Sequence, residues 1–388
     1  MRRGSVQRVA NYNDCASAAP IQGRPPTNRA DLADPATVTK DLRSLLSDTV
    51  TRLFTDLATK ELIEAAEKGT WPDKLWRALE EGGLTLPLVS EDAGGAGGTW
   101  LDAHVVIRAA GRYTAPVPIA ETIVAAWLLS RAGLEVPFGP LTLAPVRRAE
   151  RLSLTDRGGG VTVDGRVTRV PWGRDAGHVV TVGDLDGRPT VALIARGAAT
   201  IEEDRNLALE PRDTLIFREA RAVAAAPADV AADAIRRLGA MARAAQMAGA
   251  LESCLVQSVR YATERKQFGR PIGSFQAIQQ NLAVLAGHVA AAGIAAESAF
   301  RAAERGDARF EIAVAKVRVG EAAGVGAGIA HQTHGAIGFT YEHSLHFATR
   351  CLWSWRAEFG SESAWARELG HAVAARGADA LWSDLTAR

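Results

Sequence analysis

Residues 265–276 read Arg-Lys-Gln-Phe-Gly-Arg-Pro-Ile-Gly-Ser-Phe-Gln. The stretch sets a fixed cation, an aromatic ring and an amide within one helix end and the turn after it. Arg265 can fork two N–H bonds onto a phosphate. Phe268 can cover a flat ring. Gln276 can both donate and accept hydrogen bonds. Together they suit the phosphates and base of a dinucleotide.

On both sides of this segment the chain is alanine-rich and helical. Candidate helices run over about 228–264, 274–305, 308–333 and 345–375. Alanine is the best helix former, and its small side chain permits close packing. Four helices of this length predict an up-down bundle. The Gly324-Val-Gly326-Ala-Gly328 run lies late in a helical segment, not between strand and helix, so close helix contact explains it better than a dinucleotide fingerprint.

Before the bundle the period changes to two. Leu141 and Leu143, Leu152 and Leu154, and Val161 and Val163 alternate with polar or small residues. Asp164-Gly165 reads as a hairpin turn, and breaks are expected at Asp186-Gly187 and Arg196-Gly197. Further upstream, Leu42, Leu45, Leu46, Val50, Leu53 and Leu57 recur at helical spacing. A second helix carries Trp76 and Leu79 and stops at Gly82-Gly83, and another covers Trp100–Tyr113. The Gly94–Gly98 cluster reads as a loop, because it lacks the Lys-Ser/Thr of a phosphate-binding loop. The expected fold is mainly α with a β domain. Residues 1–34 read as a tail, 35–138 as an N-terminal helical domain, 139–224 as an antiparallel β domain and 225–388 as a C-terminal helical bundle.

The 45 basic and 44 acidic residues give a net charge of +1, which offers no basic excess for nucleic acid. Cys15, Cys254 and Cys351 are odd in number and form no CxxC pair, which points to a reducing cytosol. No uninterrupted apolar run reaches the roughly 18 residues of a membrane span. His331, His334, His343 and His346 form two H-x-x-H pairs, but no Cys pair joins them, so packing near a cofactor is expected in place of metal. Trp353, Trp355 and Trp365 read as core or interface anchors.

Helical–β–helical order, Arg265-x-x-Phe268-Gly269 and Gln276 together resemble the acyl-CoA dehydrogenase family. A second block, Gln332-Thr333-His334-Gly335-Ala336-Ile337-Gly338-Phe339, is similar to that family's Gln-x-x-Gly-Gly-x-Gly-aromatic segment. The resemblance covers about 40–388. It implies FAD as cofactor, an acyl-CoA substrate, electron-transfer flavoprotein as acceptor, and an oligomer packed as a dimer of dimers through the bundles. It assigns Arg265, Phe268 and Gln276 to the diphosphate and adenine end of a neighbour's FAD, with Gln332 and Gly335 lining the same site.

The family removes the substrate α-proton with a Glu while the β-hydrogen leaves as hydride to the flavin. Its usual Glu precedes Gly and then Thr or Ser. The matching run here is Glu358-Phe359-Gly360-Ser361, so the place falls on Phe359, with Glu358 as a displaced candidate base. The family's alternative position, early in the first bundle helix, reads Arg236-Arg237-Leu238-Gly239-Ala240-Met241 without a carboxylate. The flavin-facing Thr-Glu-Pro-x-x-Gly-Ser-Asp segment is scarcely kept at Leu141–Arg148, while Trp172 stands where the family puts an aromatic beside the flavin. The resemblance therefore leaves three expectations: a dehydrogenase chain using Glu358, a non-catalytic subunit that completes a sister chain's FAD site, or a relative with other flavin chemistry.

Overall fold

The computed structural model describes residues 35–386; the tail expected over 1–34 lies outside the described residues. The chain divides after Asp41, and the larger unit, from Leu42 onward, carries the core, both sheets and the bundle. Five helices come first: α1 (Pro35–Leu57), α2 (Lys60–Glu67), α3 (Asp73–Glu81), α4 (Trp100–Arg112) and α5 (Ile119–Arg131). α3 ends at Gly82 and at Gly83, whose φ is +67°, as the Gly-Gly pair predicts. α4 starts in a capping box: the Thr99 hydroxyl accepts from Asp102 N–H while the Asp102 carboxylate accepts from Thr99 N–H.

Eight strands follow: β1 (Leu141–Leu143), β2 (Ser153–Asp156), β3 (Val161–Pro171), β4 (His178–Leu185), β5 (Arg188–Ala195), β6 (Ala199–Glu202), β7 (Arg212–Arg221) and β8 (Ala224–Pro227). They form two four-stranded sheets, ordered β1-β4-β5-β8 and β2-β3-β7-β6. β1 runs parallel to β4, the one parallel pair among the described strands. Asp186 (φ +53°) and Gly187 (φ +79°) make the expected tight turn between β4 and β5. Asp164-Gly165 does not turn. β3 runs straight through it, with a bulge between Val163 and Gly165 where it pairs β7. A Cβ on Gly165 would stand 2.9 Å from the Arg151 carbonyl, so glycine here serves a close approach in the sheet.

The C-terminal part comprises α6 (Ala234–Glu264), the short hairpin β9 (Lys266–Gln267) and β10 (Arg270–Pro271), α7 (Gln276–Arg305), α8 (Arg309–His334), α9 (Leu345–Trp355), α10 (Glu362–Arg376) and α11 (Ala378–Thr386). The helix expected over 345–375 is broken into α9 and α10. Phe359 (φ +54°) and Gly360 (φ +103°) take left-handed backbone there, which no α-helix accommodates. α4 and α6 cross at backbone contact: a Cβ on Gly249 would stand 2.0 Å from the Arg108 carbonyl, and one on Gly111 2.0 Å from that of Gln246. One large core runs through the helices and onto β1, β4 and β5, and a second fills the space between the sheets. α7 carries no charged residue from Gln276 to Ala296 and is long and apolar enough to cross a membrane by composition; it packs along α6 and α8.

Candidate functional site

The Arg265–Gln276 segment forms a knob at one end of the bundle. Arg265 caps α6, its N–H donating to the Tyr261 carbonyl at 2.9 Å. Phe268 (φ +51°) and Gly269 (φ +78°) are the two central residues of the β9–β10 turn. The turn drives Phe268 outward, 92% exposed, with its ring edge-on to Phe275 at 6.0 Å. Arg265 and Gln276 are also exposed. Among the described residues no carboxylate forms an ion pair with Arg265, so its guanidinium is available to an anion.

The second block adjoins the same end. Gln332 faces outward, and Gly335 (φ +66°) ends α8 before a 3-10 turn, Gly335–Phe339. His331 stacks between Phe339 (3.9 Å, 17°) and Trp353 (5.5 Å, 12°). His334 stacks on Tyr261 at 4.6 Å, and Tyr261 lies one turn before Arg265. The fold thus brings Arg265, Phe268, Gln276, Gln332 and Gly335 to one end of the bundle.

Glu358 lies elsewhere, buried where all three parts of the fold meet. Its Oε1 accepts from Arg212 Nε at 2.6 Å, and its Oε2 accepts from Arg243 Nε at 2.7 Å and Arg212 Nη2 at 3.3 Å. Arg212 also donates to Glu210 (2.7 Å), which accepts from Trp355 Nε1 (2.9 Å) and Asn206 Nδ2 (2.7 Å). Arg243 further binds Glu121 on α5 and Gln246. Burial alone would push the Glu358 carboxyl up, but the two guanidinium groups overcome it and hold the group at about 2. Lys316 donates to the carbonyls of Arg356 (2.7 Å) and Trp355 (3.4 Å), and burial draws its ammonium down to about 7.

Phe359 packs against the Arg236–Met241 stretch in this structure. A Cβ on Gly239 would lie 2.4 Å from the ring of Phe359, which is 2% exposed. The space among Glu121, Val124, Leu143, Gly239, Arg243 and Phe359 has no room for a water. On the far side of the network, the cavity beside Trp172, bounded by Thr114, Glu210 and Arg350, holds about 30 Å3. That is space for a water or two; a second cavity against Trp172, bounded by Trp71, Arg174 and Arg205, holds about 260 Å3. Arg212, Arg243, Glu121, Glu210 and Lys316 were not read as site residues from sequence. Their available signal was polarity out of place: Arg243 and Lys316 each interrupt an otherwise apolar helix face.

Helices before and after paired sheets, with an exposed Arg and Phe at the bundle's end, make an architecture of three parts. The chain belongs to the acyl-CoA dehydrogenase family. Residues 40–136 match the model for the acyl-CoA dehydrogenase N-terminal domain and 231–362 that for its C-terminal domain. Acyl-CoA dehydrogenase IpdE2 of Mycobacterium tuberculosis is 31% identical over 312 residues, covering 78% of this chain and 88% of that one. Among solved structures, the ChsE4–ChsE5 complex of M. tuberculosis superposes with a TM-score of 0.79 at 25% identity, over 85% of this chain and 96% of that one. The Tcur3481–Tcur3483 steroid ACAD variant gives 0.79 at 26% identity, over 87% and 99%. The enzyme is an FAD-dependent acyl-CoA dehydrogenase by family. This chain's fit to FAD is divided. An exposed guanidinium and an uncovered ring at Arg265 and Phe268 suit the diphosphate and adenine, whereas the space against Trp172 is split into cavities of about 30 and about 260 Å3.

Proposed function

We propose that this chain is the subunit of a heteromeric acyl-CoA dehydrogenase that completes the FAD site of a base-bearing sister chain and takes no substrate proton itself. The observation that carries this reading is Phe359, at the place the resemblance gives the base, packed on Gly239 of the Arg236–Met241 stretch, where no carboxylate stands. Glu358 supports it from the other side. A carboxylate held at about 2 by two guanidinium groups has little drive to accept an α-proton near neutral pH. The ChsE4–ChsE5 complex, built from two differently named chains, agrees with such an assembly.

In this reading Arg265 grips the FAD diphosphate, Phe268 covers the adenine, and Gln276, Gln332 and Gly335 line the same edge. The FAD supplies the acceptor for the β-hydride. The sister chain takes the acyl-CoA, a bulky steroid-derived thioester by likeness to the steroid enzyme, and electron-transfer flavoprotein receives the electrons. A second reading has one observation behind it: Glu121 Oε2 is buried without a partner and faces the Phe359 constriction. It makes Glu121 a base reached only after Phe359 swings away.

The test is expression of the chain alone and with an acyl-CoA dehydrogenase chain encoded beside it. The expected result is a protein without visible flavin absorbance alone, and a yellow complex bleached by acyl-CoA. Stoichiometric FAD on the lone chain, reduced by acyl-CoA and lost in Glu121→Gln, would establish the second reading instead.

A further inference from the structure

Beneath the Gly335–Phe339 turn lies a buried cluster of imidazoles that the chemistry above does not use. Two of them have a fixed tautomer. His334 Nδ1 must donate to the Ala330 carbonyl (2.8 Å), and His346 Nδ1 to the His343 carbonyl (2.8 Å). The free lone pairs are therefore on Nε2, and both Nε2 atoms are buried without a partner. His331 bonds the Thr349 hydroxyl through Nε2 (2.8 Å) and leaves Nδ1 buried and unpaired. His334, His346 and His331 are 4%, 5% and 7% exposed. The rings of His334 and His343 are 4.6 Å apart. The turn presses directly on them: a Cβ on Gly338 would lie 3.1 Å from His334 Cβ and 3.2 Å from His331 Nδ1.

We propose that this cluster is a proton-sensitive latch: uncharged, it seats the turn that presents Gly335, beside Gln332 at the end of α8, to FAD, and protonated, it lifts that turn. The inference rests on the reading of this turn as a cofactor contact. An added proton on either Nε2 creates a charged donor at a buried nitrogen with no acceptor among the described residues. The surroundings do not offset it. From α2 come Lys60 and Glu64, from α6 Arg260 and Tyr261, and from α9 Arg350; only Glu64 favours the charge. Glu67 is engaged by Arg350 and by the Tyr341 hydroxyl. Burial draws all four imidazoles below the usual 6.5. The closed form is thus fully favoured above about pH 6.5 and weakens as pH falls below it, by up to tenfold per pH unit for each histidine that must charge.

Hydrogen exchange of the full chain, corrected for intrinsic rates, tests this from about pH 7.5 to about 5.5. Segment 331–346 is expected to lose protection by tenfold or more, while 312–327 in α8 keeps its own. His334→Phe, which retains a ring on Tyr261, is expected to flatten the dependence. FAD release from the complex with the sister chain, followed by flavin fluorescence, is expected to track the exchange. Equal protection of 331–346 at both pH values, or loss shared by 312–327, would overturn the latch. Opening without any change in FAD release would leave the latch standing and overturn the reading of the turn as a cofactor contact.

Discussion

Glu358→Gln separates a lock from a base. The amide keeps the shape of the carboxylate but loses its charge, and it turns an NH2 group toward the guanidinium donors of Arg212 and Arg243. Both arginines are at most 2% exposed, so neither can turn to water. Breaking a buried ion pair from one side costs about 3–5 kcal/mol. A second route gives a similar figure. The fall of the Glu358 carboxyl from 4.5 to about 2 corresponds to roughly 3 kcal/mol of folded-state preference for the charged form. The folded value is the lower one, so this stability is present above about pH 4.5 and is lost as pH drops toward 2. Urea unfolding of the two proteins side by side near neutral pH measures the difference. The expected result is a gap of about 3 kcal/mol or more that narrows steadily below about pH 4.5. A variant within about 0.5 kcal/mol of the parent, together with loss of flavin bleaching by acyl-CoA, would refute the lock and make Glu358 a base.

Other substitutions probe the same structure. Phe359→Ala should cost about 3–5 kcal/mol through the cavity left against Gly239, and Phe359→Gly should cost less than alanine by about 1 kcal/mol because φ is +54° there; thermal unfolding ranks them. Gly249→Ala should prevent the α4–α6 crossing, since its methyl meets the Arg108 carbonyl, and should appear as insoluble protein or as a melting temperature well below the parent's. Arg265→Gln should leave stability within about 0.5 kcal/mol, because the side chain is exposed, yet weaken FAD retention by the complex about tenfold or more in equilibrium dialysis. Lys316→Met should destabilise by about 1–3 kcal/mol at pH 7 in urea unfolding, since it leaves the Arg356 and Trp355 carbonyls without the donor that bonds them.

The order of the three parts was legible because each rests on local pattern. Leucine spacing marks α1, and Gly82-Gly83 marks a helix end that only glycine makes easily. Local pattern also misled. Asp164-Gly165 has the composition of a hairpin turn, yet pairing with β7 on one side and the Arg151 backbone on the other turns it into a bulge. The break between α9 and α10 went unread for a related reason. Arg356–Phe359 are acceptable helix residues, and the bonds that hold the break come from side chains: Lys316 on α8 donates to the Arg356 carbonyl and Trp365 on α10 to that of Phe359. The surface knob could be read because its members fall within twelve consecutive residues. The network around Glu358 could not, because its members are 115, 122, 146 and 152 residues apart. Charge placed by tertiary contact leaves no periodic trace in the chain.

The ion-pair cluster also bears on how this chain can change over generations. Three carboxylates, Glu121, Glu210 and Glu358, share one closed space with Arg212, Arg243 and Lys316. Phe359→Glu, the single step that would put a carboxylate at the expected position, adds a fourth acid to a closed space that holds two guanidinium groups and a lysine already drawn down to about 7. Each intermediate toward an open pocket strands a buried charge, at several kcal/mol a step. The surface of such a chain can vary freely, whereas its interior resists single replacements: each one that removes a charge strands the partner it leaves behind.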